Sequence, residues 1–211
     1  MMAFITRCLK KMSPSWLAWL CAAVMLCLAG GNAQAQMAGT DAPVLALERI
    51  DDGLWLSTQL KFELPVVVED ALLKGIPIYF LARADLLRQR WYWTNKTVAS
   101  VQRRLRLSYH PLTRRWRLNI ASGDVAEAAQ GMALNQNFDS LEDAMLTVRR
   151  ISRWKIADAA DIEPGAKYVV EFHFALDVAQ LPRPLQIGTL GQSDWLISVN
   201  AVQVLEPESH K

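Results

Sequence analysis

The side chains best suited to acid–base or nucleophilic chemistry are few and scattered. The histidines are His110, His173 and His210. His173 stands two residues from Glu171, a spacing that on a strand puts both side chains on one face. A surface ion pair accounts for that spacing more simply than a catalytic dyad. Asp158, Asp161 and Glu163 bring three carboxylates into six residues. Calcium takes oxygen ligands, but the segment lacks the spacing and ligand count of a calcium loop. A Gly-x-Ser-x-Gly elbow, a phosphate-binding glycine loop and a His-Glu-x-x-His helix are all missing from the sequence. The catalytic reading that is left, a hydrolase using His173 or His110, has no partner residue in the sequence to support it. The expectation is therefore a protein that is not an enzyme, with no metal and no cofactor.

What the chain does concentrate is positive charge among aromatic rings. From Ala82 to Leu118 it carries ten Lys or Arg residues against one acid, Asp85, together with Trp91, Tyr92, Trp93, Tyr109 and Trp116. Val101, Arg103, Leu105, Leu107 and Tyr109 alternate with Gln102, Arg104, Arg106 and Ser108, the period of a half-buried strand. Trp116, Leu118 and Ile120 alternate in the same way with Arg115, Arg117 and Asn119. His110-Pro111-Leu112-Thr113 between them reads as a turn, with proline at its second position. Closing that turn predicts Leu107 opposite Trp116, Leu105 opposite Leu118 and, on the outer face, Arg106 opposite Arg117. Like charges directly across a strand pair destabilise by roughly 0.2–1 kcal/mol. An anion must then lie near Arg104, Arg106, Arg115 and Arg117, either a carboxylate of the protein itself or an acidic partner, a phosphate or an anionic lipid headgroup. Trp91 and Trp93, sharing one strand face, are the aromatic candidates for the same surface, although tryptophans at such spacing are more often core than ligand cage.

The elements that must position this stretch begin after a leader. Arg7, Lys10 and Lys11 precede an apolar run from Trp16 to Leu28, and Ala33-Gln34-Ala35 is the small-x-small pattern read by signal peptidase. Cleavage is expected after Ala35, and the run is shorter than the roughly 20 residues a membrane-spanning helix needs. Cys8, Cys21 and Cys27 all fall in the leader, so the mature chain has no cysteine and no disulfide. The leader holds three of the 23 basic residues and none of the 21 acids, so the mature chain carries 20 against 21. Export to the periplasm also disfavours nucleic acid as a partner. Gln36–Pro43 reads as a short linker and residues 44–211 as a single domain.

Within that domain Val44–Ile50 and Leu54–Leu64 are predicted strands joined at Asp51-Asp52-Gly53, a strong hairpin signal. Leu54, Leu56, Leu60, Phe62 and Leu64 share the inward face. Pro65–Lys74 is a predicted helix closed by Gly75, and Ile76–Leu87 a long strand. Ala121–Asn137 reads as a surface excursion ending in a short strand. Asp139–Arg153 shows helical spacing of Leu141, Ala144, Met145, Val148 and Ile151, with Asp139 as cap and a basic C-terminal end. Trp154–Ala157, Tyr168–Asp177 and Trp195–Leu205 are predicted strands, and Leu181–Leu185 is expected to run extended because each proline restricts its predecessor.

Several segments in combination resemble a known family: Arg90-Trp91-Tyr92-Trp93; Leu107-Ser108-Tyr109-His110-Pro111-Leu112-Thr113; Leu176-Asp177 with Gln180-Leu181-Pro182-Arg183-Pro184-Leu185-Gln186; and Asp194-Trp195-Leu196-Ile197-Ser198. They are similar to the secreted proteobacterial proteins grouped as domain of unknown function 4390, and the resemblance spans nearly all of the mature chain. It implies an exported, periplasmic domain without assigned activity. Its members are often encoded beside a membrane sensor kinase, which implies an accessory role in envelope signalling. The alanine-rich segment after Ser122 departs from the family pattern as an insertion.

The sequence thus predicts an α+β domain of mainly antiparallel strands, arranged as sandwich-like sheets with two helices. The expected function is non-catalytic binding of an envelope partner such as a sensor kinase through Arg104, Arg106, Arg115, Arg117, Trp91 and Trp93. The alternative is a lipid or small-anion binding protein with an aromatic-lined pocket.

Overall fold

The computed structural model describes residues 43–50, 52–90, 94–123, 134–183, 185–186 and 195–205. Among them nine strands and two helices form two antiparallel sheets around one shared core. The first hairpin, β1 (Leu45–Ile50) and β2 (Gly53–Gln59), turns where Asp-Gly predicts. Gly53 has φ +153°, and a Cβ there would lie 2.2 Å from the carbonyl oxygen of Ala157. Glycine is required because the neighbouring strand backbone passes too close for any side chain. Leu54, Leu56 and Leu60 are buried as the alternation demands. The strand nevertheless stops at Gln59 rather than Leu64, and Phe62 and Leu64 pack against the core from irregular backbone.

Helix α1 (Val66–Leu73) takes Pro65 as its N-cap rather than its first residue, and buries Val68, Ala71 and Leu72. It ends at Gly75, whose φ of +83° lets its N–H reach the carbonyl of Leu72. Strand β3 (Ile78–Arg88) follows, then β4 (Lys96–His110), which starts five residues before the expected strand, and β5 (Arg115–Ser122). The short strand expected at the end of the surface excursion is β6 (Leu134–Phe138), paired with β5. The preceding insertion, the leader, most of the linker, and Trp91 and Trp93 lie outside the described residues.

Helix α2 (Leu141–Arg149) is shorter than predicted at both ends. Ser140, not Asp139, is its cap: the Ser140 hydroxyl accepts the N–H of Asp143 at 3.1 Å. The chain then enters β7 (Arg150–Asp158) directly, so Arg150, Ile151 and Arg153 are strand residues and only Arg149 complements the helix end. Pairing of β7 with β2 outweighs the helical spacing that Ile151 continued. The acidic segment folds as a turn in which Asp158 and Asp161 cap one another, while Asp158 also pairs with Lys155 and Glu163 with Arg88.

Strand β8 (Tyr168–Leu176) alternates as predicted, with Tyr168, Val170, Phe172, Phe174 and Leu176 buried. The extended run expected over Leu181–Leu185 is interrupted: the Pro182 carbonyl accepts N–H groups from Leu185 and Gln186 in a helical turn. The Gln186 amide, donating back to the carbonyls of Ala179 and Leu181, fastens that turn. Strand β9 (Ser198–Leu205) is shorter than expected, although Trp195 and Ile197 before it are buried.

The smaller sheet has the order β1-β2-β7 and the larger β6-β5-β4-β3-β8-β9. Phe80 on β3 and Phe174 on β8 stack with ring centres 5.6 Å apart, and Phe62 leans on both. Both sheets and both helices contribute to this core, which is the sandwich-like α+β arrangement the alternation predicts.

Candidate functional site

The β4–β5 hairpin is the scaffold of the basic stretch. Its loop is Pro111–Arg114, with Arg114 in the left-handed region at φ +53°, and His110 stays in β4 opposite Arg115. The turn is therefore one residue later than predicted, and every pairing shifts by two. Leu107 faces Leu118, Tyr109 faces Trp116, and Leu105 faces Ile120. An even shift keeps each side chain on its predicted face, but Arg106 now lies opposite Asn119 and Arg117 opposite Ser108. The direct like-charge pair becomes a diagonal one.

On the solvent face, Arg104, Arg106 and Arg117 stand together where none of the outward residues of β3–β6 is buried. Arg106 and Arg117 share a shallow depression of about 350 Å³ with Ser108, Asn119 and Asn135. Arg106 lies over the ring of Tyr79 at 5.8 Å, and Arg117 donates to Asn137 at 3.3 Å. Arg115 is drawn away to Asp139 at 3.3 Å, an exposed ion pair. Among the described residues, no carboxylate lies within 4.0 Å of Arg104, Arg106 or Arg117. The buried Nε of Arg104 has no hydrogen-bond partner.

A second cationic place was not singled out by sequence. Arg103, one residue before Arg104, points between the sheets. Its guanidinium rests on Trp154 at 4.9 Å and its Nε donates to Ser122 at 3.3 Å. Burial pushes its pKa below the usual guanidinium range. A cleft of about 750 Å³ opens beside it, lined also by Trp55, Ser122, Arg153, Trp154 and Lys155. The available signal was an arginine in phase with the apolar positions Val101, Leu105, Leu107 and Tyr109.

The histidines are engaged differently from the simplest reading. His173 Nδ1 bonds Asn200 Oδ1 across β8 and β9 rather than pairing with Glu171. Among the described residues neither His110 nor His173 has a carboxylate within 4.0 Å, and no group of three His, Cys, Asp or Glu side chains converges as a metal site would.

The geometry defines an antiparallel two-sheet α+β domain that carries, among the described residues, a cationic outer face and a cationic cleft. The model of the family described as Domain of unknown function (DUF4390) matches residues 41–205, and the chain belongs to that family. No curated protein and no solved structure matches it.

Proposed function

We propose that the protein is an exported, periplasmic, non-catalytic accessory module. It binds an acidic surface of an envelope protein, such as the extracytoplasmic part of a membrane sensor kinase, through Arg104, Arg106 and Arg117. The observation that carries this reading is the open sheet face on which these guanidiniums have no carboxylate of their own among the described residues. Opposite charge on a partner would offset their mutual repulsion and speed encounter. Arg115 can join the contact, since an exposed ion pair such as Arg115–Asp139 contributes only about 0–1 kcal/mol and exchanges readily. Export rests on the basic leader, apolar run and Ala33-Gln34-Ala35 site.

The test is in-cell crosslinking of the tagged, exported protein, repeated with Arg106→Glu/Arg117→Glu. One membrane partner, captured by the wild type and lost from a variant with an unchanged melting curve, is the expected result. Capture that survives the charge reversal places the contact elsewhere and sinks the proposed surface.

A further inference from the structure

The cleft between the sheets has a construction of its own. Strand β5 ends at Ser122 opposite Arg103, so β4 continues toward Lys96 without a partner strand on that side among the described residues. Strand β7 pairs with β2 along its other edge. The gap left between β4 and β7 is the cleft, and its volume of about 750 Å³ falls within the roughly 300–1,000 Å³ of small-molecule sites.

Its charges are unevenly compensated. Lys155 is held by Asp158 at 2.8 Å and Asp52 at 3.4 Å, and Arg83 at the rim by Asp85 at 2.8 Å. Arg103 and Arg153 have no carboxylate within 4.0 Å among the described residues, and no acid lines the cleft among them. Each guanidinium instead lies over a tryptophan, Arg103 over Trp154 at 4.9 Å and Arg153 over Trp55 at 5.6 Å. Such stacking engages the face of a planar fork and leaves its edge N–H groups for hydrogen bonds, of which the Arg103 Nε–H is given to Ser122.

Backbone strain points the same way. Arg153 has φ +44°, costly for a residue with a Cβ, at an irregularity where Leu56 pairs with Trp154 but Thr58 already pairs with Ile151. The Ser57 hydroxyl accepts the Arg153 N–H at 3.0 Å and fixes this bulge. Bulges re-aim side chains and gather beside functional sites. This one puts Arg153 on the cleft that Arg103 enters from the opposite sheet.

We propose that the cleft is a binding site for a small oxyanion-bearing molecule, a carboxylate or phosphate held jointly by the edge donors of Arg103 and Arg153. Guanidinium forks match both anions bidentately. The site is separate from the outer arginine face and does not depend on its partner.

The experiment is a thermal-melt titration of the mature protein with inorganic phosphate and with citrate, each against sodium chloride at equal ionic strength. The variants are Arg103→Met, Arg153→Met and Arg106→Glu/Arg117→Glu. At ligand about a hundredfold above Kd the wild type gains about 5 °C or more over the chloride control. Arg103→Met and Arg153→Met each lose that gain, while Arg106→Glu/Arg117→Glu keeps it. Arg103→Met without ligand melts no lower than wild type, because it removes a desolvated charge that has no acidic partner among the described residues. A larger gain with phosphate or with citrate identifies which anion the site takes. Absence of any anion-specific gain in the wild type, or a gain that persists in both methionine variants, overturns the proposal.

Discussion

Arg103 and Arg104 are adjacent on β4 and live in different solvents. Arg104 faces outward, with Leu81 and Ala121 across from it on the neighbouring strands. Arg103 faces inward, opposite Ala82 and Ser122, and its charge is desolvated. One peptide bond separates a guanidinium on an open face from one between sheets, because side chains alternate strictly along a strand. On the open face, water screens the exposed Arg106 and Arg117 and their crowding is tolerable. In the cleft a bare charge is expensive, and among the described residues Arg103 meets that cost with the Trp154 ring and the Ser122 hydroxyl. The same residue type thus stands on a solvent face on one side of β4 and beside the cleft on the other.

The largest way to break this contrast is to pry β7 from β2 within the smaller sheet. Gly53→Val places a branched Cβ against the Ala157 carbonyl, 2.2 Å from where Cβ must sit, at a φ that valine disfavours. The variant should lose about 3 kcal/mol or more in urea unfolding. In whatever folded fraction remains, β7 is displaced, so the anion-dependent melting gain disappears while the β3–β4–β5 face keeps its pairing. A stability within about 0.5 kcal/mol of wild type contradicts the close approach of β2 and β7.

Alternation made most of the architecture legible. The inward sets on β2 and β8 needed only period 2, and Asp-Gly located the first hairpin. Two kinds of information were not local. The β4–β5 register hung on which residue opened the turn, and a left-handed Arg114 moved the turn by one position without disturbing either apolar face. The end of α2 hung on β2, which recruits Arg150 onward into a strand although Ile151 continues the helical spacing. At the site, the outer arginines were visible as the polar phase of a strand. The cleft was not, because Arg153 and Trp154 come from a bulge in another sheet. Arg103 alone signalled it, as a charge in the apolar phase.

A smaller effect separates the two regions by their supports. Ser140 caps α2, and α2 runs straight into β7, the strand that carries Arg153, Trp154 and Lys155. Ser140→Ala removes the hydroxyl that accepts the Asp143 N–H and should cost about 1 kcal/mol. Hydrogen exchange should quicken at the α2 and β7 amides while amides between β3 and β4 keep their relative protection. Uniform acceleration across both sheets contradicts this division and makes the domain one cooperative unit.

The smallest effect concerns the rim of the cleft. Asp52 accepts the indole N–H of Trp55 at 3.1 Å and lies 3.4 Å from Lys155. The Trp55 hydrogen bond, with help from Lys155, lowers the Asp52 pKa. A carboxyl with a depressed folded pKa contributes stability that is present above its unfolded value, about 3.9, and lost as pH falls through the folded one. Lys155 is shifted the other way, upward, first through Asp158, so its share is present below the unfolded lysine value and fades only as pH rises through the folded one. Acid is therefore the side on which the Trp55 ring under Arg153 comes loose. Solvent exchange of the Trp55 indole proton, followed by NMR from neutral pH down through the carboxylate range, should accelerate at the acid end. In Asp52→Asn that acid-dependent step should vanish. An acid step that survives in Asp52→Asn would mean that Trp55 is held by the packing of β2 against β7, and that the cleft keeps its shape without the charges at its rim.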